Sequence, residues 1–359
     1  MAFLIAAAGT GGHVFPGLAV GEGLVDLGVE KSEVIYVGGD RLESSVYPRE
    51  GYRFVGVELA GLKRSLTLEN LRIPGVVSRA RAAIGDLIDR SGVRVVLGMG
   101  GYVTIPAALA ARRQDVAFFN AEQNAEAGLA NKVTARWARQ SFVSFPDTAG
   151  LPSGAWVGNP VRSMFWEFDR ESLRAEALAH YGLSGESPVI GVFGGSLGAG
   201  VINTEITAMA TSWSGDEVSI IHLTGESHLT ELAAMESPEE VDWVRIGFED
   251  RMDLFYAASD LVVARAGGAV AELTATASAS VLVPGQFGSG GHQERNALAL
   301  KRAGAAEIVP QGEIGRLADT VAHLLTDRFR RSAMAEAASD LSRPDAARTI
   351  ARAMIEAAA

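Results

Sequence analysis

The 359-residue chain contains no cysteine. That absence removes disulfide scaffolds, thiolate zinc sites, iron–sulfur clusters and cysteine nucleophiles together, and a reducing compartment suffices for such a chain. Gly-Lys-Ser/Thr is also missing, so there is no Walker phosphate loop. The 6 histidines never fall at HxxxH or HExxH spacing, which argues against a metal held by the protein. No metal and no other cofactor is expected. The opening MAFLIAAAG has no basic region before it, the first cation being Lys31, and it leads straight into a glycine loop, so it does not read as a secretion signal. No apolar run is long enough to span a bilayer: residues 95–111 are uncharged but broken by Gly98, Gly100, Gly101 and Pro106. The chain should be soluble and at most peripheral on a membrane.

What is present is a large apolar fraction, 48%, against 21% charged residues, so a buried core is easily built and global disorder is excluded. The formal net charge of −11 argues against a nucleic-acid partner. The charge is uneven. Residues 1–160 hold 16 Lys/Arg against 15 Asp/Glu, and residues 161–359 hold 16 against 28. A neutral half and an acidic half suggest two domains with different neighbours.

Short apolar runs alternate with helical patterns along the chain. Strands are expected at 3–7, 34–37, 54–57, 93–97 and 117–119, with a helical stretch at 17–27. The pattern restarts at 189–193 and continues with strands at 219–223, 244–246, 261–263 and 281–283. The tail from about residue 316 is rich in Ala, Arg and Glu and reads as helical. The first strand of each half runs into a glycine turn, Gly9-Thr10-Gly11-Gly12 and Gly194-Gly195-Ser196-Leu197-Gly198. The fold class is therefore α/β with two Rossmann-like domains built on parallel sheets. The expected organisation is 1–160, 161–340, and a final helix at 341–359.

The glycine turns allow more than one chemistry. Neither matches GxGxxG with a correctly placed acid, but a glycine turn that opens a helix presents backbone N–H groups and a positive dipole end, which suit phosphate. The second turn also matches GxSxG, the nucleophile elbow of an α/β serine hydrolase, with Ser196 as nucleophile. His13, at an expected helix start, is either a packing residue or a neutral base. Lys63, Arg64, Arg72, Arg79 and Arg81 lie within 19 residues that contain one acid, Glu69, interleaved with Leu66, Leu68, Leu71, Ile73, Val76 and Val77. That mixture suits either an anionic membrane surface or an ordinary amphipathic helix.

Seven blocks together resemble the MurG family of transferases, which move N-acetylglucosamine from UDP to lipid I in peptidoglycan synthesis. They are residues 8–19 (AGTGGHVFPGLA), 98–103 (GMGGYV), 122–124 with 128–132 (EQN and GLANK), 157–162 (VGNPVR), 194–199 (GGSLGA), 265–267 with 271–272 (RAG and AE), and 292–297 (HQERNA). They come in the family's order and span nearly the whole chain. Ala121 stands where the family usually carries histidine, and Leu197 where it carries glutamine.

The resemblance implies a GT-B fold, two Rossmann domains facing across a cleft, with the last helix returning to the first domain. It implies UDP-N-acetylglucosamine as donor, undecaprenyl-linked lipid I as acceptor, and peripheral attachment to the anionic cytoplasmic face of the bacterial cell membrane. By the same resemblance Glu272 holds the ribose, Ser196 and Arg162 contact the diphosphate, and the backbone at Phe248 reads the uracil. Asn124, His292 and Gln293 hold the sugar, with Ala269 and Val270 in the donor loop. Thr10, Gly11 and Gly12 complete the donor-binding set, lining the cleft from the other side. His13 is the expected general base, with Glu122 as the alternative. A paralogue of the same fold with another lipid or natural-product acceptor is the nearest competing reading.

Overall fold

The computed structural model describes residues 1–58, 73–195, 198–285 and 291–359. The chain divides into two units, Met1–Ser163 with Arg343–Ala359, and Met164–Ser342. Unit 1 holds the strands β1 (Ala2–Ala6), β2 (Val34–Gly38), β3 (Arg53–Gly56), β4 (Val93–Gly98), β5 (Ala117–Glu122), β6 (Gln140–Val143) and β7 (Ala155–Trp156). They form one sheet in the order β3-β2-β1-β4-β5-β6-β7, with every pair parallel. Its helices are α1 (Gly11–Asp26), α2 (Glu43–Arg49), α3 (Ile73–Ser91), α4 (Thr104–Arg113) and α5 (Leu129–Thr134).

Unit 2 holds β8 (Val189–Phe193), β9 (Val218–Leu223), β10 (Val241–Ile246), β11 (Leu261–Ala264), β12 (Ser280–Leu282) and β13 (Ala306–Ile308). Their order is β10-β9-β8-β11-β12-β13. The helices are α6 (Arg170–Tyr181), α7 (Gly200–Thr211), α8 (Glu226–Ala233), α9 (Met252–Ala258), α10 (Ala269–Ala275), α11 (His292–Arg302), α12 (Leu317–Thr326) and α13 (Arg328–Asp340). The final helix α14 (Ala346–Ala358) belongs to unit 1.

The sequence explains this layering. All five residues of β1, Ala-Phe-Leu-Ile-Ala, are buried, as a strand covered on both faces requires. Successive side chains point to opposite faces. Phe3 and Ile5 join the core shared with α1 and α14, while Leu4 and Ala6 join the core under α3 and α4. Burying one such Leu or Ile is worth roughly 1.5–3 kcal/mol. Helix α3 buries Val76, Ala80, Ile84, Leu87 and Ile88 at the spacing of a helix with one apolar face, the last three within that second core. Helix α14 lies against α1. A Cβ on Gly23 would come within 3.0 Å of the Ala347 carbonyl oxygen, so the two backbones approach as only glycine permits.

Two features differ from the sequence expectation. Helix α1 starts at Gly11, six residues before the anticipated stretch, because its glycines and Pro16 are weak helix signals and its residues are buried in succession rather than along one face. Strands β6, β7 and β13 were not anticipated. β6 begins with exposed Gln140 and half-buried Ser141, β7 has 2 residues, and β13 has 3, with Glu307 in the middle. All three are defined by their neighbours in the sheet rather than by their own hydrophobicity.

Candidate active site

Both sheets reverse direction of growth at the strand that carries the glycine turn, between β1 and β4 in unit 1 and between β8 and β11 in unit 2. Ligands of open α/β sheets bind at such reversals, beyond the carboxyl ends of the strands. Six of the seven sequence blocks follow directly on the carboxyl end of a strand, β1, β4, β5 and β7 in unit 1 and β8 and β11 in unit 2, and the seventh, 292–297, opens α11 after β12.

In unit 1, Thr10 is the exposed N-cap of α1 and makes no side-chain capping bond, while Gly11, Gly12 and His13 form the first turn. His13 is half-buried. Its ring lies against Gly100, where a Cβ would come 3.0 Å from both Cδ2 and Nε2. Gly100 has φ of +91°, so both its conformation and this ring contact select glycine. Asn131 Nδ2 lies 3.4 Å from the same Cβ position. It donates to Glu122 Oε2 at 2.9 Å and to the Ala121 carbonyl at 3.0 Å.

Glu122 is only 3% exposed. Its Oε1 accepts from the Asn124 backbone N–H and from Asn124 Nδ2, both at 3.0 Å. Its Oε2 accepts from the Gly128 N–H as well as from Asn131. A carboxylate engaged by this many donors fixes the path of the loop from 122 to 131 and sets the Asn124 amide. Arg162 stacks its guanidinium 5.3 Å from the Phe15 ring centroid on α1, which places it in unit 1 beside the helix that bears His13.

In unit 2, Ala269, Val270 and Glu272 fall in the first turn of α10. Val270 is only 6% exposed and is part of the core. Glu272 is half-buried, and its Oε2 accepts the Tyr256 hydroxyl at 2.9 Å. His292 and Gln293 open α11 after the left-handed Gly291. Gln293 Oε1 accepts from the Gly285 N–H at 2.7 Å, which turns its amide nitrogen away from Gly285. Phe248 sits just beyond β10 and is 36% exposed.

Arg170 anchors the helices beneath this site. Its guanidinium donates to the carbonyls of Tyr256, Ser259 and Thr276 and to Ser278 Oγ. It thereby caps the ends of both α9 and α10. Burial lowers its pKa to about 10, which still leaves it charged at neutral pH. Ser196, Leu197, Lys63, Arg64, Leu66, Leu68, Glu69, Leu71 and Arg72 lie outside the described residues. Of the rest of that basic-apolar segment, Val76 is a core residue, while Arg79 is exposed on α3, 3.9 Å from Glu58.

Tyr256 and Asn131 had no assigned role from sequence. Tyr256 stands within an apolar helix, Met-Asp-Leu-Phe-Tyr-Ala-Ala, where it reads as core. Asn131 lies in one of the seven blocks, and an amide in a short helix was the available signal. No group of His, Asp and Glu residues among the described residues has the arrangement of a metal site.

The chain is similar to known proteins along its whole length. Residues 3–143 match the glycosyltransferase family 28 N-terminal domain, and residues 189–350 match the family 28 C-terminal domain. The chain is 38% identical, over 99% of its length and 95% of the relative's, to a UDP-N-acetylglucosamine–N-acetylmuramyl-(pentapeptide) pyrophosphoryl-undecaprenol N-acetylglucosamine transferase of Mycobacterium sp. (strain KMS). It is 37% identical to the transferase of the same name from Nocardia farcinica, covering 100% of the chain and 96% of the relative. Among solved structures, Acinetobacter baumannii MurG superposes with a TM-score of 0.77 at 24% identity, covering 99% of both chains. A UDP-GlcNAc 2-epimerase from Neisseria meningitidis, bound to UDP-GlcNAc, shares the fold with a TM-score of 0.69 at 13% identity, over 99% of this chain and 100% of that one. The chain belongs to glycosyltransferase family 28 and, within it, to the MurG family of N-acetylglucosamine transferases.

Proposed function

We propose that the chain is an inverting transferase that moves N-acetylglucosamine from UDP-N-acetylglucosamine to the muramyl 4-hydroxyl of lipid I, giving lipid II. Family membership supports this, and the observation that carries it is positional: six of the seven blocks leave the carboxyl ends of strands, where an α/β sheet binds ligands, and the seventh opens α11 after β12. The serine-hydrolase reading of the second glycine turn falls away, because that turn lies inside the matched transferase domain.

In this reading His13 accepts the proton of the acceptor hydroxyl as its oxygen attacks the anomeric carbon. The bond from that carbon to the UDP oxygen breaks, and the configuration inverts to β. Backbone N–H groups of the glycine turn and Arg162 stabilise the charge that grows on the departing UDP. Glu272 accepts from the ribose hydroxyls, and Asn124, His292 and Gln293 hold the sugar. His13 is preferred to Glu122 as base because the Glu122 oxygens are occupied by backbone and amide donors.

The reading includes peripheral attachment to an anionic membrane at the cytoplasmic face. No helix among the described residues is long and apolar enough to cross a bilayer. Support for a surface contact comes from a depression of about 330 Å³ whose lining includes Arg112, Arg136, Arg139, Trp137 and Phe118, with Asp115 as its one acid. The Arg136 guanidinium lies 4.4 Å from the Trp137 ring centroid. Exposed cations around an aromatic ring suit an anionic lipid interface.

The test is transfer of labelled N-acetylglucosamine from its UDP donor to a lipid I analogue, followed as disaccharide product and released UDP. Product with inverted anomeric configuration is expected. UDP release with a different lipid acceptor and none with the lipid I analogue would replace the acceptor while keeping the fold and donor.

A further inference from the structure

Helix α1 is a poor helix by its own sequence. Its 16 residues include Gly11, Gly12, Gly17, Gly21, Gly23 and Pro16. Interior glycine and proline both disfavour a helix relative to alanine, proline the more strongly. Yet this helix carries His13 in its first turn. Whatever holds His13 in place must come from outside the helix.

The short helix α2 supplies contacts on both sides of His13. At its first residue, Glu43 is 1% exposed. Its Oε2 accepts the Gly9 N–H at 3.0 Å, and its Oε1 accepts the Gly39 N–H at 2.9 Å. One turn later Tyr47, fully buried, donates its hydroxyl to the Val14 carbonyl at 3.1 Å. Burial, followed by the nearby Glu43 carboxylate, pushes the Tyr47 pKa well above its usual value, so the phenol keeps its proton. Tyr36 stacks on Tyr47 with ring centroids 3.8 Å apart, and its own hydroxyl reaches the Gly17 carbonyl at 3.2 Å.

From this we infer that Glu43 and Tyr47 are positioning residues for His13, gripping the chain at Gly9 before it and at Val14 after it. The inference rests on the reading of His13 as the base. Glu43 requires a carboxylate. Its two oxygens accept from two different backbone donors, so an amide in its place would turn an N–H toward one of them. No role in binding UDP or the sugar is implied for either residue.

The experiment compares Glu43→Gln and Tyr47→Phe with the wild type and with His13→Ala. Rates are normalised to the number of UDP-binding sites measured by calorimetry, and the His13 ring is followed by its 13Cε1 resonance, identified by its loss in His13→Ala. A misplaced catalytic group costs up to ~10²-fold, so Glu43→Gln should lower kcat by about 10–100-fold. Tyr47→Phe, which keeps the ring and removes only the hydroxyl, should lower it less. In both, the His13 resonance should shift or broaden, while UDP affinity and the KM for the donor stay as in the wild type. Unchanged kcat in both variants would overturn the inference. So would a fall in kcat with an unmoved His13 resonance, which assigns the loss to general stability. A full rate in His13→Ala would overturn the underlying reading of His13, an outcome separate from either of these.

Discussion

The Tyr256 hydroxyl donates to Glu272 Oε2 at 2.9 Å, joining the buried helix α9 to the first turn of α10. The bond orients the carboxylate, which the family resemblance assigns to the ribose hydroxyls. Hydrogen bonds to a charged group are worth roughly 1.5–3 kcal/mol, so Glu272→Ala should weaken UDP binding by about that amount. Tyr256→Phe should weaken it by a smaller amount, since the carboxylate remains but is less constrained. Calorimetric titration with UDP checks both, and equal affinity in Glu272→Ala and wild type would remove this carboxylate from the donor site.

General-base catalysis contributes typically ~10²–10⁴-fold, and His13→Ala should lower kcat within that range. UDP affinity should be nearly unchanged, because the expected donor contacts at Glu272, His292 and Gln293 lie in unit 2. An imidazole must be neutral to accept a proton, so the wild-type rate should fall toward acid pH. That acid limb should vanish in the variant. A limb that persists in His13→Ala belongs to another group.

His222 predicts a loss of stability in acid. It is fully buried on β9, with Nε2 3.1 Å from Asn203 Oδ1. Burial, with a smaller effect from Arg245, lowers its pKa from 6.5 to about 4. The unfolded chain therefore binds more protons than the folded one between these values. The stability tied to neutral His222 is fully present above pH 6.5 and is lost as pH falls toward 4. At 1.36 kcal/mol per unit, the loss is about 3 kcal/mol. Urea unfolding at neutral and acid pH should show this loss in the wild type and a smaller one in His222→Gln. Equal acid losses in the two proteins would place the effect elsewhere.

Replacing Arg112 and Arg136 with Gln should reduce sedimentation with anionic vesicles. Each cation near such a surface contributes about 1 kcal/mol, and added salt should erase the difference between variant and wild type. Transfer to a short-chain, water-soluble acceptor should be retained, because both arginines lie away from the strand ends that carry six of the seven blocks. Loss of that soluble activity would mean that the pair supports the fold of α4 and the segment around Trp137.

Sequence periodicity located the strands that are apolar throughout, such as β1, β8 and β11, because strands buried on both faces advertise themselves as unbroken hydrophobic runs. It did not locate β7 or β13, whose few residues acquire strand geometry only through their neighbours. The blocks of the site were legible because they combine glycine, amide and charge at strand ends. The residues that orient them were not. Glu43 reads as one more acid after a loop, Tyr47 and Tyr256 read as core, and nothing in the local pattern reveals that their polar atoms face His13's helix and Glu272. Glu122 was visible as a carboxylate in a matched block, but its engagement by Asn124, Gly128 and Asn131 is a tertiary property.

The return of α14 to unit 1 also orders events during synthesis. Ile350, Ala351, Met354 and Ala358 share one core with Phe3, Ile5, Leu18 and Leu24. On the ribosome these four are made only after all of Met164–Ser342. The amino-terminal sheet must therefore wait, with the apolar side of α1 uncovered, while unit 2 emerges and can fold by itself. Vectorial folding here runs against the order of the chain, and the nascent first half is the part exposed to chaperones and to aggregation. A stop codon that removed only the last helix would strip the cover from the first one.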